Sequence, residues 1–148
     1  MDLTQNVRAV QEKIAAAARA AGREPGEIAL CAATKVQTDE TIRAAIAAGI
    51  RLCGENRVQE LTAHLGADAY AGAEVHFIQT NKVKQVVGNV SLIHSVDSTR
   101  LLQAVELQAD KLGIVQDILL EVNTAREESK GGCMPENLPA LAEQAMKC

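Results

Sequence analysis

Short apolar runs alternate with longer amphipathic stretches along the whole chain. Each run is bounded by glycine, proline or polar residues and is too short for a helix, so it predicts a β-strand. The predicted strands are residues 28–35, 50–53, 75–78, 91–96 and 114–122. In the stretches between them, apolar residues recur three or four positions apart, which predicts helices with one buried face.

Capping residues and glycines indicate where the helices begin and end. Thr38 is a suitable N-cap, and Asp39 and Glu40 follow it in the first turn, where acidic side chains are favourable. Either Asp97 or Ser98 can cap a later helix in the same way. The predicted helices are residues 4–21, 39–48, 58–65, 83–87, 99–112 and 135–145.

Alternating apolar strands and helices predict parallel strands joined by right-handed crossovers, which is the α/β class. Five such units leave two architectures open: an open doubly wound sheet, or the first part of an eight-unit barrel. A complete (β/α)8 barrel needs roughly 200–250 residues. We therefore expect residues 1–148 to form a single domain, and on the barrel interpretation that domain is truncated at its C-terminus.

The first apolar run stops abruptly on Lys35. Its small and branched residues predict a strand buried on both faces, with Lys35 partly desolvated at the carboxyl end. Desolvation disfavours the ammonium form and supplies the neutral amine that a Schiff base requires. The alternative is a structural lysine whose stem packs on the strand while its charge reaches water.

Composition excludes several classes of function. The 148 residues are 47% apolar, enough for a core, and carry a net charge of -4 with Tyr70 and Phe77 as the only aromatic residues. Such a chain offers neither a basic stripe nor stacking rings to a nucleic acid. It has no apolar run of membrane-spanning length and no leader pattern, so we expect a cytoplasmic protein without membrane contact.

The four cysteines and three histidines show no metal-ligand or redox spacing. We expect buried free thiols and no metal site. His76 lies within a predicted strand, where an internal hydrogen bond is the expected role. The segment 129–132, Ser-Lys-Gly-Gly, resembles a small anion-binding turn, but it lacks P-loop spacing and is interpreted first as a flexible loop.

Polar residues collect where the predicted strands end, at the edge of an α/β sheet where ligands bind. They are Lys35, Glu55, Asn56, Asn81, Lys82, Ser95, Asp97 and Asn123. Capping accounts for Asp97 and Ser95. Asn56 and Asn81 can hold a planar ligand or satisfy loop backbone, and Glu55 can pair with Arg57 or with Lys35.

Five motifs occur in an order that carries a resemblance. They are Thr34-Lys35, Gly54-Glu55-Asn56-Arg57-Val58-Gln59-Glu60, His76-Phe77-Ile78 with Gln79-Thr80-Asn81-Lys82, His94-Ser95-Val96-Asp97, and Val122-Asn123 with Glu127-Glu128-Ser129-Lys130-Gly131. Together they resemble the pyridoxal phosphate homeostasis proteins, single-domain relatives of the alanine racemase barrel. The resemblance implies a (β/α)8 TIM-type barrel of which this chain holds about the first five units. It also implies pyridoxal 5'-phosphate bound as a Schiff base on Lys35, with Asn56, Asn81 and Lys82 near the cofactor.

Two departures from the family pattern stand out. A short Gly-x-Leu piece that normally precedes Gln79 is missing, and the chain ends at Cys148 before the segments that bind the cofactor phosphate in this family. We expect these residues alone to aggregate or pair with another copy, because a partial barrel leaves two unpaired edges. For the full-length protein we expect a monomer.

Three functions remain open for a Schiff-base lysine. We favour a non-catalytic carrier that buffers pyridoxal phosphate and delivers it to apo-enzymes. The alternative is an alanine-type racemase. In the racemase relatives, the second acid is a tyrosine from another domain. The single tyrosine here, Tyr70, lies in an Ala/Gly-rich loop. A cofactor-free aldolase is a third interpretation, with Glu55 as its candidate acid or base.

Overall fold

The computed structural model describes residues 2–79 and 82–148, and over these residues helices alternate with five strands. The helices are α1 (Leu3–Ala20), α2 (Asp39–Ala47), α3 (Val58–Gly66), α4 (Val83–Val86), α5 (Thr99–Leu112) and α6 (Leu138–Ala145). The strands are β1 (Cys31–Ala33), β2 (Leu52–Glu55), β3 (Glu74–Phe77), β4 (Leu92–Val96) and β5 (Asp117–Leu120). Short 3-10 turns cover Pro25–Glu27 and Pro135–Asn137.

The strands follow one another in the sheet order β1-β2-β3-β4-β5. The described pairings are parallel, with Cys31 opposite Leu52 in the first pair and Ile93 opposite Ile118 in the last. A parallel sheet with a helix after each strand confirms the α/β class. Closure into a barrel stays a prediction.

The first and last strands are shorter than the sequence indicated. β1 covers three residues instead of 28–35, and its residues are half-buried or exposed, so burial on both faces was wrong. β5 alternates exposed and half-buried residues over four positions instead of 114–122. Both strands lie at an end of the sheet order, so among the described strands each has one neighbour to extend its ladder.

The chain divides into two compact units. The first contains the residues up to Glu55 and Gln59–Val75, with α1 packed against α2 and with Ile42 and Leu61 in its core. The second contains Asn56–Val58 and His76–Cys148, and its core includes the wholly buried Phe77 and Ile93. The single-domain organisation stays a prediction.

Local signals placed the start of α2 and both ends of α5 correctly. The Thr38 hydroxyl accepts the backbone N–H of Thr41, and the Ser98 hydroxyl caps α5 through Leu101 N–H. Gly113 ends α5 in the left-handed conformation with φ 65°. Over residues 2–79 and 82–148, no helix is both long and apolar enough to cross a bilayer.

Candidate functional site

Lys35 lies in a tight turn directly after β1. The turn is closed by a hydrogen bond from Gln37 N–H to the Thr34 carbonyl at 3.1 Å, and Thr34 N–H donates to the Gly54 carbonyl on β2. Lys35 is exposed, so the prediction that an apolar strand partly desolvates its amine was wrong. The structure therefore presents Lys35 on a turn that is fastened to the neighbouring strand.

The turn contains a valine in an unfavourable backbone conformation. Val36 has φ 56°, although the residue is 70% exposed and packing therefore does not explain the geometry. A β-branched residue at positive φ is a genuine outlier, with a cost of about 1–2 kcal/mol. The N–H of Val36 donates to Glu60 Oε2 at 2.7 Å, so a carboxylate from α3 holds the strained residue.

A buried hydrogen-bond network lies beside this turn. The Thr34 hydroxyl donates to Glu55 Oε1 at 2.7 Å, and the Tyr70 hydroxyl donates to the same oxygen at 3.0 Å. Glu55 is fully buried at the end of β2, and its Oε2 has no hydrogen-bond partner in the part of the chain that is described. The contacts described for Glu55 Oε1 are thus hydrogen bonds from two hydroxyl groups.

Tyr70 is fixed by this network and is not available to solvent. Its side chain is buried, and burial together with the neighbouring Glu55 carboxylate raises the pKa of its hydroxyl. The Tyr70 ring meets the His64 ring edge to face, with 5.8 Å between ring centroids. A buried hydroxyl that already donates to Glu55 is poorly placed to act as a proton donor toward an external substrate.

His64 extends the polar cluster toward α2. Its Nδ1 lies 2.6 Å from Asp39 Oδ1, while its Nε2 is buried and unpartnered among the described residues. At this contact Nδ1–H donates to Asp39 Oδ1, because a carboxylate oxygen only accepts hydrogen bonds. Sequence analysis missed His64, since its partner lies 25 residues away and no spacing rule connects the two.

Two of the other candidate residues lie in the second unit. Asn56 is half-buried, and its Oδ1 is buried and unpartnered among the described residues. Lys82 is exposed and directly precedes α4. Asn81, the remaining candidate, lies outside the described residues. An unpartnered buried acceptor such as Asn56 Oδ1 is the kind of atom that a ligand donor can satisfy.

The second unit holds two further polar contacts. His76 Nδ1 lies 2.8 Å from His94 Nε2, which confirms the internal hydrogen bond predicted for His76. After β5, Asn123 Nδ2 donates to the Glu127 carbonyl and Asn123 Oδ1 accepts Glu127 N–H. The backbone N–H of Asn123 also donates to the carbonyl of Cys133, the residue that directly follows the segment 129–132 interpreted as a flexible loop.

In the described part of the chain, no group of three or more His, Cys, Asp or Glu side chains could hold a metal ion. All four cysteines are free thiols. Cys53 and Cys133 are buried as expected, but Cys31 is half-buried and Cys148 is exposed, so uniform burial was wrong. The difference gives the thiols distinct reactivities.

We expect iodoacetamide at pH 8 to label Cys148 first and to leave Cys53 unlabelled in the folded protein. Burial raises the pKa of the Cys53 thiol to about 11 and removes it from reagent contact, with smaller contributions from Cys31 and Glu55. At pH 8 only about one Cys53 in a thousand is then a thiolate. Peptide mapping after timed alkylation measures both sites, and full labelling in denaturant is the control. Equal native labelling of Cys53 and Cys148 would contradict the structure.

The structure thus defines an α/β protein with a parallel sheet and an exposed lysine in a fastened turn after its first strand. No family model matches the chain. It is 41% identical over 99% of its length to the pyridoxal phosphate homeostasis protein of Aquifex aeolicus, of which it covers 66%. The chain belongs to the pyridoxal phosphate homeostasis protein family.

Solved structures share the fold of this chain. A crystal structure of an unknown protein from Bifidobacterium adolescentis matches 97% of the chain with a TM-score of 0.87 and 38% identity, and 63% of that protein is covered. PipY of Synechococcus elongatus, solved with pyridoxal phosphate bound, matches 78% of the chain with a TM-score of 0.69 and 30% identity, and 56% of it is covered. The chain therefore spans between 56% and 66% of the length of these three proteins.

Proposed function

We propose that this protein binds pyridoxal 5'-phosphate through a Schiff base on Lys35 and serves intracellular homeostasis of that cofactor. The observation that carries the proposal is the exposed Lys35 amine on a turn fastened to β2 and to α3. The family assignment and the cofactor-bound PipY support the identity of the ligand. The cofactor supplies an aldehyde, and the chain supplies the amine.

The residues that are present fit part of such a ligand. Lys35 offers the amine, and the unpartnered Asn56 Oδ1 offers a hydrogen-bond acceptor suited to a hydroxyl donor. The exposed ammonium of Lys82 suits an anionic group. Asn81 is proposed from the resemblance alone. We propose these four residues as the cofactor-binding set, with a (β/α)8 barrel as the fold of the full-length protein.

We further propose a carrier or buffer without catalysis of its own. The protein would act in the cytoplasm as a full-length monomer and would deliver the cofactor to apo-enzymes. Support comes from Tyr70, which is buried and donates to Glu55 instead of being presented as a second acid for racemisation. The names of the relatives also refer to homeostasis instead of a reaction.

Borohydride reduction in the presence of pyridoxal phosphate, followed by intact mass and peptide mapping, tests the proposal. We expect one pyridoxyl adduct on Lys35 and a visible absorbance band before reduction. Lys35→Arg keeps the charge but should lose the adduct, with a change in stability within about 0.5 kcal/mol because the side chain is exposed. Lys13→Arg, an exposed lysine on α1, is the matched control and should retain the adduct.

Three outcomes would contradict the proposal. An adduct that survives in Lys35→Arg places the Schiff base on another lysine. If the purified wild-type protein interconverts alanine enantiomers while Lys35→Arg does not, that result would show a racemase instead of a carrier. A Schiff base trapped with a carbonyl substrate in the absence of cofactor would indicate an aldolase instead.

A further inference from the structure

In the turn that carries Lys35, Val36 adopts a backbone conformation that a valine side chain disfavours. Val36 is the third residue of the turn closed between Thr34 and Gln37, and its φ is 56°. The third position of a turn with positive φ is normally occupied by glycine or asparagine. Because the Val36 side chain is largely exposed, burial does not compensate for this conformation.

Hydrogen bonds from two different elements hold the turn instead. On the N-terminal side of Lys35, Thr34 is fastened to β2 through its backbone N–H and its hydroxyl. On the C-terminal side, Val36 N–H donates at 2.7 Å to Glu60 Oε2 in the first turn of α3. Hydrogen bonds to a carboxylate are stronger than those between neutral groups. Hydrogen bonds therefore hold both of the residues that flank Lys35, Thr34 and Val36.

We propose that Glu60 is a positioning residue for Lys35. Its carboxylate accepts Val36 N–H, holds the turn in the left-handed conformation and so fixes the backbone from which the Lys35 amine is presented. This inference rests on the proposed function, because the consequence of the positioning is the affinity of Lys35 for pyridoxal phosphate. Glu60 itself does not need to touch the cofactor.

A double-mutant cycle between Glu60 and Val36 tests the proposal. We expect Glu60→Ala to weaken the binding of pyridoxal phosphate, measured by the visible absorbance band, by about tenfold. Glu60→Gln keeps an acceptor oxygen and should lose at most about threefold. Val36→Gly removes the strain, because glycine adopts positive φ freely. In the Val36→Gly background, Glu60→Ala should therefore cost no more than about threefold.

The cycle separates positioning from a merely structural role. Glu60 also takes part in another interaction, whose loss would weaken binding equally in both backgrounds. Equal losses in the Val36 and Val36→Gly backgrounds would therefore overturn the proposal, as would unchanged binding in Glu60→Ala. Glu12→Ala, an exposed glutamate on α1, is the matched control and should bind as the wild type does.

A measurement without cofactor distinguishes failure of this inference from failure of the proposed function. Hydrogen exchange of the Val36 amide, followed by NMR, should be slow in the wild type and in Glu60→Gln and at least tenfold faster in Glu60→Ala. A protected amide with no adduct on Lys35 would overturn the role in cofactor binding. An unprotected Val36 amide in a wild type that forms the adduct would overturn the positioning role alone.

Discussion

Gly132→Ala is expected to lower the free energy of unfolding by about 3 kcal/mol or more. Gly132 has φ 104°, and an added Cβ would lie 2.6 Å from the backbone nitrogen of Asn123 and 2.8 Å from the carbonyl carbon of Val122. Both neighbours are backbone atoms, so no side-chain rotation relieves the clash. For a chain of this size the loss corresponds to a melting temperature about 6–12 °C lower, measured by circular dichroism.

Substitutions at two other glycines separate the effects of backbone strain and of steric clash on the free energy of unfolding. Gly113 has φ 65° but open space around it, so Gly113→Ala should cost only about 1 kcal/mol through backbone strain. Gly66 ends α3 without positive φ and with open space where a Cβ would lie, so Gly66→Ala should be neutral or stabilising by up to about 1 kcal/mol. Similar losses for Gly132→Ala and Gly113→Ala would show that the chain after β5 moves away from the added methyl group.

The sequence predicted the features that depend on local interactions. Helix α5 is the clearest example, because its Ser98 cap, its apolar stripe at Leu102, Val105 and Ala109, and its Gly113 stop all lie within sixteen residues. Each of these signals acts on backbone groups within one or two turns. Such an element needs no knowledge of the rest of the fold.

Predictions that depended on distant neighbours succeeded less often. The apolar composition of residues 28–35 predicted a buried strand, but burial is decided by what covers the strand, and β1 has only one described neighbour. Lys35 was predicted as the last residue of that strand, but it lies two residues beyond β1 and is exposed. The left-handed Val36 was not predictable, since nothing in a valine indicates positive φ.

The buried cluster around Glu55 was also missed, although the sequence singled out Glu55 itself. Its partners Thr34 and Tyr70 lie 21 and 15 residues away, and hydropathy assigned no role to either hydroxyl. A glutamate at the end of a strand is ordinarily expected to reach solvent. Only the three-dimensional structure brings two hydroxyl donors to one carboxylate oxygen.

Glu55→Ala should lower the free energy of unfolding by about 3 kcal/mol. The substitution leaves a cavity and removes the acceptor of the buried Tyr70 hydroxyl, whereas Thr34 keeps a second acceptor, the Gly54 carbonyl at 3.3 Å. Glu55→Gln keeps the volume and the Oε1 acceptor, so it should stay within about 1 kcal/mol of the wild type. Urea denaturation followed by circular dichroism measures all three proteins.

A substitution at Tyr70 shows why Glu55→Ala lowers the free energy of unfolding. Tyr70→Phe removes the hydroxyl and should cost about 1–2 kcal/mol by itself. In the Tyr70→Phe background no hydroxyl is left without an acceptor, so Glu55→Ala should cost about 1 kcal/mol less than it does in the wild type. Strictly additive losses would mean that the cavity alone destabilises the variant. A loss in Glu55→Gln as large as that in Glu55→Ala would instead mean that the carboxylate charge, and not the shared acceptor oxygen, stabilises the cluster.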